Sequence, residues 1–312
     1  MNKNTKKDFL KSLVETTRAQ GLVPSLYSRS SYCMSVDDNI YQNSMAPIIR
    51  AMFLNGSGNE LTGKACAIHS SSMFAYNFYH WISKEHPLIF QDKYELTQVY
   101  FEVQIPTLIG TTPANMDVVL EGVRISDNKP VLLFIESKFT EHFSNGRSDM
   151  KEMANNSYSK KQDKYFDHNR QSFESWKKII SKFADLSQSE NGYYDGIKQE
   201  ICHMIALTNL LNDDEARQDY EKRYKDKDVE HPTITGKEIM LFYNILFDAS
   251  DDFNESDAYN KYKELYMCLD KELADMKSGI ESGILSYRTI YDSIPDDRLK
   301  DYLYKRYMQF AK

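Results

Sequence analysis

The chain predicts an α/β fold, a central mixed β-sheet flanked by helices with further helical extensions. Three observations point there. Residues 97–105, 118–125 and 131–138 are β-branched, aromatic or apolar runs separated by turn residues, as a three-stranded meander requires. "EIMLFYNILF" (238–247) is a continuous apolar run of strand length, the pattern of a strand covered on both faces. Segments with apolar residues three and four apart precede, separate and follow these runs, so helices are available to cover a sheet.

Taken in order, residues 6–20 read as a short amphipathic helix, followed by a polar, Ser-rich connection to about residue 44. Ala46–Leu54 reads as a second helix, ended by "NGSGN", whose glycines supply turn conformations. From Glu60 to about Trp81 the spacing of Leu61, Ala65, Ile68, Phe74, Phe78 and Trp81 predicts a longer helix, which Pro87 prevents from continuing. Strand-like "TQVYFEVQI" follows, and Gly110 and Pro113 break the chain before Val118–Ile125, a turn at Ser126–Lys129 and Val131–Lys138. Residues 141–170 are polar and carry no clear pattern. Helices are predicted over about 171–186 and 195–212, and a solvated charged stretch over 213–230. Beyond the apolar run, 256–278 reads as helical, "GILSYRTIY" (283–291) as short and extended, and 295–311 as helical. The expected organisation is an N-terminal helical extension (1–45) and one domain (46–312).

With 41% hydrophobic and 27% charged residues among 312, the chain reads as globular rather than disordered or fibrous. A net charge of −7 argues against a surface that binds polyanions everywhere, while leaving room for a local basic patch. Cys33, Cys66, Cys202 and Cys268 are scattered without zinc spacing and read as reduced thiols. No apolar h-region follows the basic start, and the longest apolar runs are too short to cross a bilayer. A cytoplasmic protein with no membrane association is expected.

The chemistry sits in "NMDVVLEGVRISDNKPVLLFIESK" (115–138). Side chains alternate along a strand, so Glu136 and Lys138 share a face and Ser137 points away. With the hairpin turn near Asp127–Lys129, Asp117 falls close to both. Carboxylates that converge repel one another and suit a hard cation such as Mg²⁺ or Mn²⁺. Such an ion polarises a phosphoryl oxygen and acidifies a water, and a neighbouring lysine orients that water. The ordinary reading of any single D…ExK is a pair of strand-end carboxylates neutralised by surface lysines. A hairpin with the acids at its matching ends, followed by a helix, favours the metal site.

This arrangement resembles the PD-(D/E)XK nuclease superfamily, and the resemblance widens to a set of restriction endonuclease-like bacterial proteins. "GSGNEL" (56–61), "HSSSMFAYNF" (69–78), "FEVQIPT…TPANMD" (101–117), "ESKFTEHF" (136–143), "QEICH" (199–203) and "LSYRTIY" (285–291) carry the likeness, in the expected order over roughly 50–312. The resemblance implies a restriction endonuclease-like core, with Asp117 as the motif aspartate and Glu136 and Lys138 as the (D/E)XK pair. It implies Glu60 as an acidic metal ligand from the first core helix and Gln199 as a glutamine that accompanies the motif. The motif proline is displaced: Pro113 stands four residues before Asp117. Read for themselves, Glu60 also suits a helix N-terminus, and Gln199 with His203 also suits a solvated helix face. Glu102, expected to share a face with Tyr100 and Gln104, suits either a third carboxylate or a cross-strand ion pair. "HSSS" (69–72) suits capping or tight packing.

The implied activity is Mg²⁺- or Mn²⁺-dependent hydrolysis of DNA by an endonuclease of restriction or defence type. Residues 138–182 hold ten Lys or Arg against six Asp or Glu; Lys160, Lys161, Lys164 and Arg170 are candidates to follow a phosphate backbone, or simply a solvated face. A homodimer would suit double-strand cleavage by one site per chain. Two other readings stand beside this one: a non-cleaving nucleic-acid-binding or assembly module on the same fold, and a nuclease acting on RNA.

Overall fold

A computed structural model of the chain describes residues 5–27, 31–56, 61, 63–107, 113–140, 173–189, 197–250, 256–276 and 278–311. Six strands form one sheet in chain order: β1 (Leu88–Phe90), β2 (Tyr94–Ile105), β3 (Ala114–Arg124), β4 (Pro130–Lys138), β5 (Ile239–Leu246) and β6 (Ile280–Ser286). The first four are antiparallel, β5 lies parallel to β4, and β6 lies parallel to β5. The chain is therefore α/β with a mixed sheet. β4 and β5 are almost wholly buried, which is why they read as unbroken apolar runs rather than alternating ones.

Local chemistry explains the hairpins. At the β3–β4 turn Asn128 takes the left-handed conformation (φ 57°) that asparagine tolerates, and the Asp127 carboxylate accepts from Arg124 Nε at 2.8 Å. In β2 the register shifts between Leu96 and Gln98 opposite Gly122, where any Cβ would stand 1.9 Å from the Glu95 carbonyl oxygen. Only glycine fits that bulge.

Nine helices occur among the described residues: α1 (Thr5–Ala19), α2 (Pro47–Asn55), α3 (Ser71–Tyr79), α4 (Phe173–Ser189), α5 (Ile197–Asn212), α6 (Asp214–Tyr224), α7 (Ser256–Met276), α8 (Tyr287–Asp292) and α9 (Asp297–Arg306). Helices α4 to α6 fall in the β4–β5 crossover and α7 in the β5–β6 crossover, the connections that parallel neighbours need. α3 is buried from Ser72 through Tyr79. Its Phe74 stacks on Phe139 with ring centroids 4.0 Å apart and meets Tyr287 edge-on at 4.5 Å. Phe9 of α1 packs against Phe139, Phe247 and Phe310, so α1 joins the same core.

Four expectations need correction. The long helix expected from Glu60 to Trp81 is a short 3-10 turn (Lys64–Cys66) and then α3, because Gly63 sits at φ 86° and Ser70 restarts the helix as its N-cap. The stretch expected to be solvated, 213–230, contains α6: Asp213 caps it, and Tyr220 and Tyr224 are buried beneath its charged face. The meander has a fourth strand, β1, too short to read from periodicity. Residues 283–291, expected to be extended, are split between the end of β6 and α8, with Ser286 capping the helix. No helix among the described residues is long and apolar enough to cross a membrane.

Candidate functional site

The last β3–β4 pair is Val118 with Ile135. Beyond it the strands part, and the Ser137 amide donates to Asp117 Oδ2 at 2.7 Å instead of to a main-chain carbonyl. A carboxylate thus takes over from the ladder at the point where β4 is about to end. A cleft of about 450 Å³ opens there, lined by Asp117, Glu136, Lys138, Gln199 and, from β2, Glu102. It lies at the carboxyl end of β4, where an antiparallel neighbour on one side gives way to a parallel one on the other, a place where open α/β sheets commonly bind ligands.

Glu136 and Lys138 are buried, at 2% and 3% exposure, and face the cleft together. Ser137 alternates away from them, its hydroxyl 2.6 Å from that of Tyr287. Lys138 Nζ donates to Glu136 Oε1 and, at 2.9 Å, to Gln199 Oε1. Glu200 Oε1 stands 3.8 Å from the same ammonium. Both Gln199 and Glu200 belong to the first turn of α5, which places neutral and charged acceptors on one lysine.

Carboxyl groups crowd around Lys138. Burial, and then the charges of Glu136 and Glu102, hold the Asp117 carboxyl well above the usual carboxylate range, against Lys138 and the Ser137 hydrogen bond. Glu136 Oε2 is buried and accepts no hydrogen bond; His203 Nδ1 lies 3.4 Å from it. Burial lowers the His203 pKa to about 4, helped by Lys138 and opposed by Glu136, so the imidazole is neutral at neutral pH. Lys6 and Lys64 add positive charge to the cleft wall.

Asp117 and Glu136 supply oxygen donors of the kind a hard divalent cation takes. Carboxylate oxygens are the donors Mg²⁺ and Mn²⁺ prefer, and Mg²⁺ needs only one or two of them because it keeps several waters. The buried, unbonded Glu136 Oε2 is a position that such an ion would satisfy. Among the described residues no group of three or more His, Cys, Asp or Glu side chains is placed so that it could hold a metal ion.

Four residues predicted for the site, Asp117, Glu136, Lys138 and Gln199, are brought together. Glu60, Lys160, Lys161, Lys164 and Arg170 lie outside the described residues. Lys177 and Lys178 are exposed on α4. The sequence reading passed over Glu200, whose Oε2 accepts from Asn244 Nδ2 at 3.1 Å and Tyr266 at 3.0 Å. A charged residue next to the apolar stripe of α5 was the available signal. Lys6 and Lys64 left none, since both reach the cleft only through tertiary packing. Ser70 caps α3, and Ser72 Oγ lies 3.4 Å from Glu102 Oε1. No protein-family model, curated protein or solved structure matches this chain.

Proposed function

We propose that this cleft hydrolyses phosphodiester bonds of DNA with the help of Mg²⁺ or Mn²⁺, as an endonuclease of the PD-(D/E)XK kind acting in restriction or defence. One observation carries the reading: Lys138, clamped by Glu136 and Gln199, shares a single cleft with Asp117. Asp117 and Glu136 would hold the cation. When bound, the ion supplies Lewis-acid polarisation of a phosphoryl oxygen and a more acidic water. Lys138 would present its ammonium to the phosphate as negative charge builds on its oxygens. Gln199 fixes the ammonium without adding charge of its own. Neutral His203 adds no positive charge beside Glu136. Lys6 and Lys64 line the wall along which a phosphate backbone would run.

The test is a cleavage assay on supercoiled plasmid, linear duplex, single-stranded DNA and RNA. DNA cutting that requires Mg²⁺ or Mn²⁺ and stops with EDTA is expected. Lys138→Ala should slow it roughly 100-fold or more, and so should Asp117→Asn, which keeps an acceptor for the Ser137 amide; circular dichroism checks that both fold. Wild-type rates in both folded variants would overturn the reading. Metal-independent DNA binding without cleavage of any substrate would instead favour a binding module, and cleavage of RNA alone would move the activity to RNA.

A further inference from the structure

Glu200, in the first turn of α5, is 0% exposed. Burying a carboxylate is costly unless its surroundings answer it. Among the described residues its neighbour Gln199 lines the cleft and Glu200 does not. A residue shut off from both solvent and cleft does not touch a substrate, so any part it plays passes through the groups around it.

Those groups come from three elements. Asn244 stands level with Glu136 in the parallel β4–β5 register, and residues paired in this way project on one face of a sheet. Asn244, Glu136 and Lys138 therefore share the face on which α5 meets them. From β5, Asn244 Nδ2 donates to Glu200 Oε2 at 3.1 Å, and from α7 the hydroxyl of buried Tyr266 donates to the same oxygen at 3.0 Å. Two donors on one oxygen orient the carboxylate. Its other oxygen, Oε1, lies 3.8 Å from Lys138 Nζ. That separation is beyond a direct hydrogen bond, so the attraction is one of charge.

A lysine needs such a guide. Its ammonium is a compact charge on a flexible four-carbon stem, and nothing in the side chain itself fixes where it stands. Glu136 draws Lys138 along its own strand, and Gln199 accepts from it at 2.9 Å without contributing charge. Glu200 is the charged counterpull from the helix.

We infer that Glu200 is a positioning residue for Lys138. Oriented by Asn244 and Tyr266, it draws the ammonium toward α5 and holds it between Glu136 and Gln199, where it meets the phosphate. The inference rests on the nuclease reading above and adds to it an anchor built from β5 and α7. Glu200 binds neither cation nor substrate. Without its charge both still bind, the ammonium shifts, and the loss falls on the chemical step.

Single-turnover DNA cleavage with enzyme in excess tests this, alongside Mn²⁺ binding by calorimetry. Glu200→Gln keeps the length of the side chain and an acceptor oxygen while removing the charge. Its rate at saturating DNA should fall roughly tenfold, with the half-saturating DNA concentration and the Mn²⁺ affinity within about twofold of wild type. In a Lys138→Ala background the same substitution should change nothing further, because residues that act as a unit are not additive. Should Glu200→Gln fail to fold, Tyr266→Phe removes one orienting donor, and a few-fold loss of rate that vanishes beside Lys138→Ala is expected. A wild-type rate in the folded variant, or the same loss with and without Lys138, would overturn the inference and leave metal-dependent cleavage standing. Absence of cleavage by the wild-type protein would overturn that reading, and the role of Glu200 with it.

Discussion

Two clusters of buried charge can be set side by side. In the first, Arg306 is fully enclosed at the end of α9, yet its guanidinium donates to the Asn39 carbonyl at 2.9 Å, to Asn39 Oδ1 and to the Tyr302 hydroxyl. The Tyr307 ring lies 4.9 Å from it. Asn39 in turn donates to the carbonyls of Ala65 and Ala67 at 2.6 and 2.7 Å. Only Nε among the guanidinium nitrogens lacks a partner. In the second cluster Asp117, Glu102, Glu136 and Glu200 surround one ammonium, and a buried Glu136 oxygen accepts no hydrogen bond. Burying charge is costly unless the surroundings answer it. Dipoles and aromatic faces answer the cation of the first cluster. The second instead crowds several carboxyl groups around Lys138, with Lys6 and Lys64 on the cleft wall.

The largest effect expected from breaking this contrast is on the closed cluster. Arg306→Ala should cost about 3 kcal/mol or more of stability by leaving a cavity and several orphaned acceptors. Chemical denaturation reads that loss, and Mn²⁺ affinity per folded molecule should not change.

Neutralising the open cluster should do the reverse. In EDTA, Asp117→Asn is expected to stabilise the protein at neutral pH by roughly 1 kcal/mol, the scale of one relieved like-charge pairing. The sign follows from proton binding. A carboxyl raised in the folded state binds more protons there than in the unfolded chain, so wild-type stability falls as pH climbs from near 4 through the raised value. The variant should lack that slope, and a loss of stability on removing the charge would contradict the contrast.

His203→Gln should have the smallest effect at neutral pH. With its pKa lowered from 6.5 to about 4, His203 contributes stability that is complete above pH 6.5 and lost as pH falls toward 4. Each pH unit in that window is worth at most ~1.4 kcal/mol. Melting curves across it should show a shallower decline in the variant than in wild type.

The two clusters were unequally legible in the sequence. Asp117, Glu136 and Lys138 follow from strand alternation and hairpin geometry, because the register that pairs Val118 with Ile135 needs only the turn to be placed. Gln199 needed the likeness to a family as well as its helix. Glu102 was read on a face with Tyr100, since periodicity assumes that every residue of a strand is extended, and a single left-handed residue defeats it. Arg306 sits in a charged terminal helix and reads as an ordinary surface arginine. Its enclosure depends on Asn39, 267 residues away in the chain, which no local pattern reports. The α6 helix was missed for a similar reason, its charge hiding two tyrosines whose burial is decided elsewhere.

The parallel pairing of β4 with β5 has a consequence for synthesis. Once the β3–β4 hairpin has left the ribosome, Asp117, Glu136 and Lys138 all exist, but the outer edge of β4 stays open until Ile239–Leu246 arrives. Gln199, which steadies the lysine, is 61 residues further on. Contacts so distant in sequence form late because loop closure must precede them. A chain stopped before Ile239 would carry Asp117, Glu136 and Lys138 with the outer edge of β4 still unpaired.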